Sequence, residues 1–348
     1  MDAEQDHAQG ETHDDESAAA AEIRSRIRTI WERERDPYKL CSSAVESGSV
    51  PELRECLAII QEILAEDHDE YINFRSGVFS DALSSHSLNL ITYMLDHEGI
   101  PVSEIHPIQI SRCASKPLIE ALIERGWDVN TQNGPAFDKK RLIDHLVPER
   151  VNKEGLARWL IEEKGARVDG GEFDPDYSNI AQPAPLLEYC AGFGTVPMFK
   201  FLEAKGAKHS RRMLHNAVST AASLGADPDS NSPAQGPDAT SINRTVDMLR
   251  YLVDERRLDI NGTDSSITHW ASTHWGTPIC YAARWPKGAS VVRWLLKKGA
   301  DPTIKDLYPS MDAAACAREA KCDEVLQVLE NWQRIKNEEV NQKASHTP

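Results

Sequence analysis

Short apolar stripes at helical spacing recur along most of the chain. The clearest lies in the segment 291–296, where Val291, Val292, Leu295 and Leu296 fall at i, i+1, i+4 and i+5 and therefore share one helix face. Glycine, proline and small polar residues separate the stripes, as is typical of turns. The pattern predicts an all-α chain built from pairs of short helices.

The unit that contains this stripe, residues 276–302, carries helix start and stop signals at both ends. Thr277 and Pro278 open its first helix, because a threonine side chain caps free N–H groups and proline suits the first helical turn. Gly299 ends its second helix, where a residue with a left-handed backbone is needed. The unit is therefore predicted to be one helix–turn–helix.

In order, these residues resemble the ankyrin repeat, Gly-x-Thr-Pro-Leu-His-x-Ala-Ala followed by Val-Val-x-x-Leu-Leu-x-x-Gly-Ala-Asp. Cys280 stands at the histidine position, and Ala282 and Ala283 are the small pair that lets helices of adjacent repeats approach closely. The resemblance implies an ankyrin-repeat solenoid, in which helix-turn-helix repeats with connecting hairpin loops bury their apolar faces against neighbours.

Weaker copies of the same order occupy most of the remaining chain. They lie at 40–64, 77–100, 107–130, 141–169, 184–207, 213–261 and 310–332. The glycines that end the second helices are Gly99, Gly126, Gly165, Gly206 and Gly299. They do not recur at the usual spacing of about 33 residues, and the copy at 213–261 lacks the glycine. This irregularity resembles the degenerate, long-loop ankyrin proteins of filamentous fungi.

Composition along the chain predicts four regions. They are a disordered acidic tail at 1–22, an N-terminal amphipathic helix at 23–36, an ankyrin-repeat domain of about seven to eight repeats at 37–332, and a polar C-terminal tail at 333–348. A segment rich in Gly, Pro, Ser, Asp and Asn at 225–243 is predicted to be a flexible insertion within the repeats.

Charge and cysteine content narrow the classes of partner. The formal net charge of −16 argues against direct binding of nucleic acid, which requires clustered Lys and Arg, and against an anionic membrane surface. The acidic N-terminus lacks the features of a signal peptide, and no apolar run has the length of a membrane span. Seven scattered cysteines include no Cys-x-x-Cys pair. We expect an intracellular protein, cytoplasmic or nuclear.

The histidines and the cysteine near the strongest repeat have a structural explanation. His269, His274 and Cys280 have a spacing open to a zinc assignment, but zinc needs about four converging ligands. The template places Cys280 in the repeat interior and the histidines in the preceding hairpin loop. No nucleophile elbow, P-loop or dinucleotide-binding motif occurs. We therefore expect no catalytic residue, cofactor or metal, and no enzyme.

Tryptophan is the positive signal for binding. Trp270 and Trp275 lie in the hairpin loop before the strongest repeat, and Trp285 with Arg284 follows its first helix. Trp and Arg dominate binding energy at interfaces, so these four residues are the predicted partner-binding site. The alternative is that the tryptophans pack on the neighbouring hairpin, and Trp275, beside the Thr-Pro motif, is the most structural of the three.

These features favour a non-catalytic adaptor or scaffold that binds another protein through the concave ankyrin surface. An alternative within the binding class is a transcriptional co-regulator, of a fungal biosynthetic gene cluster for instance, that acts through a DNA-binding partner. The arginines interleaved with acids at 24–35 and the acidic tail are its support. A metal-binding or catalytic protein is the alternative from a different class.

Overall fold

The computed structural model describes residues 8–132, 140–147, 153–169, 185–264, 276–305 and 310–345. Within these ranges the regular elements are helices, as the apolar stripes predicted. The chain divides into two compact units, Met1–Asp128 and Val129–Pro348, and each is described by itself.

Unit 1 contains three helix pairs and an additional N-terminal helix. Its helices are α1 (Ala8–Glu34), α2 (Pro37–Ser47), α3 (Val50–Ile63), α4 (His68–Ser84), α5 (Leu88–His97), α6 (Pro107–Cys113) and α7 (Lys116–Glu124), with a 3₁₀ turn at Val102–Glu104. The first helices α2, α4 and α6 pack side by side, and so do the second helices α3, α5 and α7. α1 packs on α3 and α2.

The described residues of unit 2 form five further helix pairs. Its helices are α8 (Leu142–Leu146), α9 (Glu154–Glu163), α10 (Leu186–Phe193), α11 (Val196–Ala204), α12 (Met213–Leu224), α13 (Ala239–Arg250), α14 (Pro278–Ala283), α15 (Ala289–Lys297), α16 (Ala313–Glu319) and α17 (Asp323–Ser345). The first helices α10, α12, α14 and α16 pack in that order. Each helix pair overlaps one of the copies identified in the sequence, but the bounds differ: α4 begins at His68, before the copy at 77–100, and α17 extends beyond the copy at 310–332.

Three second helices begin with the same local signal. A Ser or Thr side chain accepts the backbone N–H three residues later, and a proline occupies the first turn, where its missing N–H leaves no group unsatisfied. These are α3 with Ser49 and Pro51, α7 with Ser115 and Pro117, and α11 with Thr195 and Pro197. The sequence thus fixes where each of these helices starts.

The predicted helix-ending glycines adopt the backbone conformation for which they were singled out. All have positive φ angles, between 65° and 94°, and they are Gly99, Gly126, Gly165, Gly206 and Gly299. After Gly299 the backbone N–H of Ala300 returns to the carbonyl of Leu295 at 3.0 Å. This bond closes the second helix and directs the chain into the next hairpin loop.

One helix pair that lacks a terminal glycine, α12 and α13, ends differently. A π-helical turn at Tyr251–Glu255 follows α13 and accommodates one additional residue. Arg257 then takes the left-handed conformation, with φ 53°, and the N–H of Leu258 returns to the carbonyl of Leu252 at 3.0 Å. Arg257 therefore stands where the other repeats have glycine.

Small side chains set the spacing of the first helices in unit 2. Ala191, Ala217, Ala221, Ala282 and Ala317 are at most 1% exposed at the contacts between α10, α12, α14 and α16. A larger side chain at these positions would force the helices apart. The second helices supply the larger core residues, including the almost fully buried Trp294, Phe199 and Leu202.

The N-terminal helix is longer than expected and its arginines are occupied. α1 begins at Ala8 and so includes most of the segment 1–22 that we expected to be a disordered tail; residues 1–7 lie outside the described ranges. An alanine run at 18–21 has the highest helix propensity and continues the helix toward the N-terminus. Three of its arginines pair with acids of α3: Arg24 with Glu55, Arg26 with Glu52 and Arg28 with Glu62.

Two further boundaries differ from expectation. Residues 239–243 of the predicted insertion belong to α13, and only 225–238 form irregular structure. The predicted C-terminal tail is helical to Ser345, because α17 extends beyond the apolar stripe that packs on the repeat before it. Whether 225–238 is flexible stays a prediction.

Candidate functional site

The surface formed by α10, α12, α14 and α16, called the first-helix face of unit 2, is where the sequence placed the binding residues. Of the predicted site residues, Trp285 and Arg284 are described. Trp270 and Trp275 lie outside the described residues, as do His269 and His274 of the considered zinc site.

Trp285 follows α14 and links it to the preceding repeat. Its indole Nε1 donates a hydrogen bond to the hydroxyl oxygen of Ser219 on α12, at 3.0 Å. The side chain is half-buried. Its indole N–H is thus already bonded inside the protein, and only part of its ring surface remains for a partner.

Arg284 links α14 to the following repeat. Its guanidinium donates to the carboxylate of Glu319 on α16, and 21% of the Arg284 side chain is exposed.

Cys280, at the family's histidine position, is fully buried, and its sulfur lies 3.4 Å from the hydroxyl oxygen of Thr277. The thiol therefore faces the repeat interior, as the template implied.

A network of buried polar groups lies behind this face. His215 of α12 is 2% exposed, and its Nε2 lies 3.0 Å from the carbonyl oxygens of both Gly262 and Gly276. Because both partners are acceptors, the Nε2 carries the proton and donates to them. Burial holds the pKa of His215 below its ordinary value, so the ring is neutral.

Asp264 and Tyr281 continue the network across the base of the hairpin loop. The Asp264 carboxylate accepts the N–H of Gly276 at 3.0 Å and the hydroxyl of Tyr281. The Tyr281 ring packs edge-on against His215, with centroids 5.2 Å apart. These contacts close the two arms of the loop whose intervening residues, 265–275, lie outside the described residues.

Glu188 on α10 joins the network from the preceding repeat. Ser210 donates to one of its carboxylate oxygens, and the Arg212 Nε lies 3.7 Å from the other. Burial raises the pKa of Glu188 above its ordinary value, because desolvation outweighs these favourable contacts. Arg212 also donates to the Tyr281 hydroxyl at 3.4 Å, so one arginine connects the two halves of the network.

The chemistry of this network favours structural support. Glu188, His215 and Asp264 are between 1% and 5% exposed, so their polar atoms face the protein and not a substrate. Among the described residues, no group of three His, Cys, Asp or Glu side chains could hold a metal ion. The network connects three successive repeats and fixes the position of the hairpin loop between residues 264 and 276.

One feature of this region was missed by sequence reasoning. The loop 207–212, between α11 and α12, reads Ala-Lys-His-Ser-Arg-Arg and is basic in a strongly acidic chain. The local run of cations was the available signal, but the net charge of −16 concealed it.

The described helices also include none long and apolar enough to cross a membrane.

Comparison with known families agrees with the geometry. Residues 274–307 match the family model described as the ankyrin repeat. No curated protein matches the chain in sequence. The matched segment contains α14 and α15, whose helix start at Thr277-Pro278 and helix end at Gly299 are described above. The chain therefore carries an ankyrin repeat, within a helical architecture of the ankyrin type.

Proposed function

We propose that the protein is a non-catalytic scaffold that binds another protein through the first-helix face of unit 2. The observation that carries this proposal is the ankyrin repeat at 274–307, because proteins of this family generally bind other proteins. Repeat arrays of this kind present a preformed extended surface, so little ordering entropy opposes binding.

The buried network supports the same function. Hydrogen bonds of Glu188, His215 and Asp264 hold neighbouring repeats in register, which gives the surface above them a rigid base. A rigid base favours binding, because contact residues that are already ordered lose little conformational entropy when the partner binds. Trp285 and Arg284 stay candidate contact residues at the edge of this face.

The co-regulator alternative loses part of its support. The arginines at 24, 26 and 28 pair with acids of α3, so they do not form a free basic segment of the kind an import receptor binds. No observation among the described residues favours a transcriptional role over a general scaffold.

The test uses two matched substitutions on the full-length chain. Thr220 on α12 and Ser290 on α15 are both half-exposed hydroxyl residues, the first on the first-helix face and the second on a second helix. Affinity capture with quantitative mass spectrometry should recover a protein partner with the wild type and with Ser290→Arg, but not with Thr220→Arg. Failure of the wild type to recover any partner would contradict a scaffold role.

A further inference from the structure

Lys208 and Arg211, in the loop 207–212, are cations without a partner among the residues that the structure describes. Both side chains are exposed, and neither forms a hydrogen bond or an ion pair with any described residue. Most exposed cations of unit 2 are paired. Examples are Lys200 with Glu255, Lys205 with Glu162, Lys297 with Asp229 and Lys298 with Asp254. Lys208 and Arg211 are exceptions to this pairing, as are Lys287, Arg318, Lys321 and Arg334 elsewhere among the described residues of unit 2.

A third unpaired cation, Arg257, lies beside the same loop. The carboxylate oxygen of Glu203 binds both His209, at 2.8 Å, and Arg256. Because one oxygen holds both side chains, the end of the sixth helix pair lies next to the loop 207–212. Arg257 follows Arg256 directly, is exposed, and has no partner among the described residues.

The backbone at Arg257 is strained, which is an independent observation on the same residue. Its φ of 53° lies in the left-handed region that the equivalent residues of other repeats satisfy with glycine. The π-helical turn at Tyr251–Glu255 lies just before Arg257 and changes the path of the chain there. Strained non-glycine residues and π-helical turns occur preferentially at functional sites. An arginine at this position therefore points to a use for its charge.

The acids nearby do not neutralise these cations. Glu203 is shared between His209 and Arg256, and Glu255 pairs with Lys200. Asp259 accepts the N–H of Asn261 at 2.9 Å, within its own turn. Lys208, Arg211 and Arg257, which we call the basic patch, therefore carry positive charge that no carboxylate among the described residues offsets in an ion pair, on a chain whose net charge is −16.

We propose that the basic patch binds an acidic segment of a partner protein, with carboxylates paired to the two arginines and the lysine. Arginine binds carboxylates in two-pronged geometry, which gives both affinity and orientation. The inference rests on the proposed scaffold function and names the chemistry of its partner. A short acidic segment fits three cations, whereas a long nucleic acid would extend beyond them along a chain whose net charge of −16 repels phosphate.

The experiment titrates a fluorescent deca-glutamate peptide into the full-length protein and two triple variants. The first variant carries Lys208→Gln, Arg211→Gln and Arg257→Gln. The control carries Arg293→Gln, Lys297→Gln and Lys298→Gln, which remove three cations that have ion-pair partners and change the net charge equally. Glutamine at 257 keeps a side chain in the left-handed position, so the backbone strain is unchanged. Far-UV circular dichroism checks that each variant is folded.

The expected result is a Kd raised at least about tenfold in the patch variant and less than about threefold in the control. Binding should also weaken with added salt. Equal losses in the two variants would attribute binding to net charge and overturn the proposal. Tighter binding of an oligothymidylate of about 20 nucleotides would overturn it in favour of nucleic acid.

A partner capture separates this inference from the function on which it rests. If Thr220→Arg abolishes capture and the patch variant retains it, the scaffold function stands and the basic patch is not its binding site. If the wild type captures no partner, the scaffold function itself fails. Loss of capture in the patch variant, together with its weaker binding of the peptide, supports both the scaffold function and the basic patch as its binding site.

Discussion

Arg257 adopts the left-handed backbone conformation, with φ 53°, that Gly299 adopts with φ 94° at the same place in the following repeat. Both residues end a second helix, and in both repeats the next N–H returns to a leucine carbonyl at 3.0 Å. Only the glycine has no Cβ to clash in this conformation. One helix end therefore carries a strain that the other avoids.

Arg257→Gly should stabilise the protein by about 1 kcal/mol, because the left-handed conformation costs a non-glycine residue about 1–2 kcal/mol. The free energy of unfolding is measured by urea titration. The reverse change, Gly299→Ala, is the matched control and should destabilise by a similar amount, since a Cβ at Gly299 meets no atom within 4 Å. If Arg257→Gly leaves the unfolding midpoint unchanged, the arginine is not strained.

These two helix ends also show what the sequence can and cannot predict. Gly299 was identified because the template demands a glycine there, and the structure confirms the left-handed backbone. Arg257 could not be identified, because the π-helical turn at Tyr251–Glu255 shifts the register by one residue. A local insertion of this kind leaves the apolar stripe intact and so has no signature in the hydrophobic pattern.

Trp285→Ala should lower the free energy of unfolding by about 2–4 kcal/mol, because it removes a half-buried indole and its hydrogen bond to Ser219. Ser219→Ala removes the hydroxyl acceptor alone and should cost about 1 kcal/mol. Urea unfolding of both variants measures the difference. A Trp285→Ala protein as stable as the wild type would mean that the ring does not contribute to packing.

Protonation of His215 should destabilise the fold. Its pKa in the folded protein lies below the ordinary value of 6.5, so the unfolded chain binds the proton first as the pH falls. Stability is therefore fully retained above about pH 6.5 and is lost below it, by at most about 1.4 kcal/mol per pH unit. His215→Gln removes the titrating group and should flatten this dependence between pH 6.5 and 5.

The comparison of the two proteins isolates His215 from its neighbours. Asp264 opposes the shift and Arg212 reinforces it, and both are present in the variant. Glu188 has a raised pKa, so its contribution to the free energy of unfolding has the opposite sign. That contribution decreases as the pH rises above the pKa that Glu188 has in the unfolded chain. Parallel stability curves for wild type and His215→Gln would contradict the depressed pKa of His215.

The buried network explains why the candidate site was predicted only in part. Sequence reasoning identified Trp285 and Arg284 from their residue types. Glu188 and Asp264 lie 27 and 49 residues from His215 in the sequence, and nothing in their local context predicts burial. Their roles depend on the packing of α10 and the hairpin loop against α12, which is a tertiary property.

The N-terminal helix should depend on one ion pair more than on another. Arg24 pairs with Glu55, whose side chain is 9% exposed, whereas Arg28 pairs with Glu62, whose side chain is 58% exposed. Glu55→Gln should cost about 1–2 kcal/mol, since it leaves the arginine with a weaker partner at a half-buried site. Glu62→Gln should cost about 0.5 kcal/mol or less. Equal effects in urea unfolding would mean that the α1–α3 contact is loosely held.

Arg250 fastens the irregular segment 225–238 to α13. Its guanidinium donates to the carbonyl oxygen of Pro228, at 2.9 and 3.2 Å, and to that of Ser230, at 2.8 Å. Arg293 occupies the same position in α15, but its partners are the Ser290 hydroxyl, at 3.5 Å, and the Glu324 carboxylate, at 3.4 Å. The two arginines are therefore matched in place and differ in what they hold.

Limited digestion with proteinase K should cut the wild type first within 225–238, where regular hydrogen bonding is absent between Gly225 and the start of α13 at Ala239. Arg250→Gln should increase the initial rate of this cleavage several-fold, because cleavage by a protease requires the segment to open and the arginine opposes opening. Arg293→Gln should leave the rate unchanged. The cleavage site and rate are read by mass spectrometry of samples quenched over time. If first cuts fall within 276–302 instead, the strongest repeat is not the stable part of unit 2. If both variants are cut at the wild-type rate, the carbonyl contacts of Arg250 do not restrain the segment, and its protection comes from other contacts, such as the Lys297–Asp229 ion pair and the bond from the Ala234 N–H to Asn243.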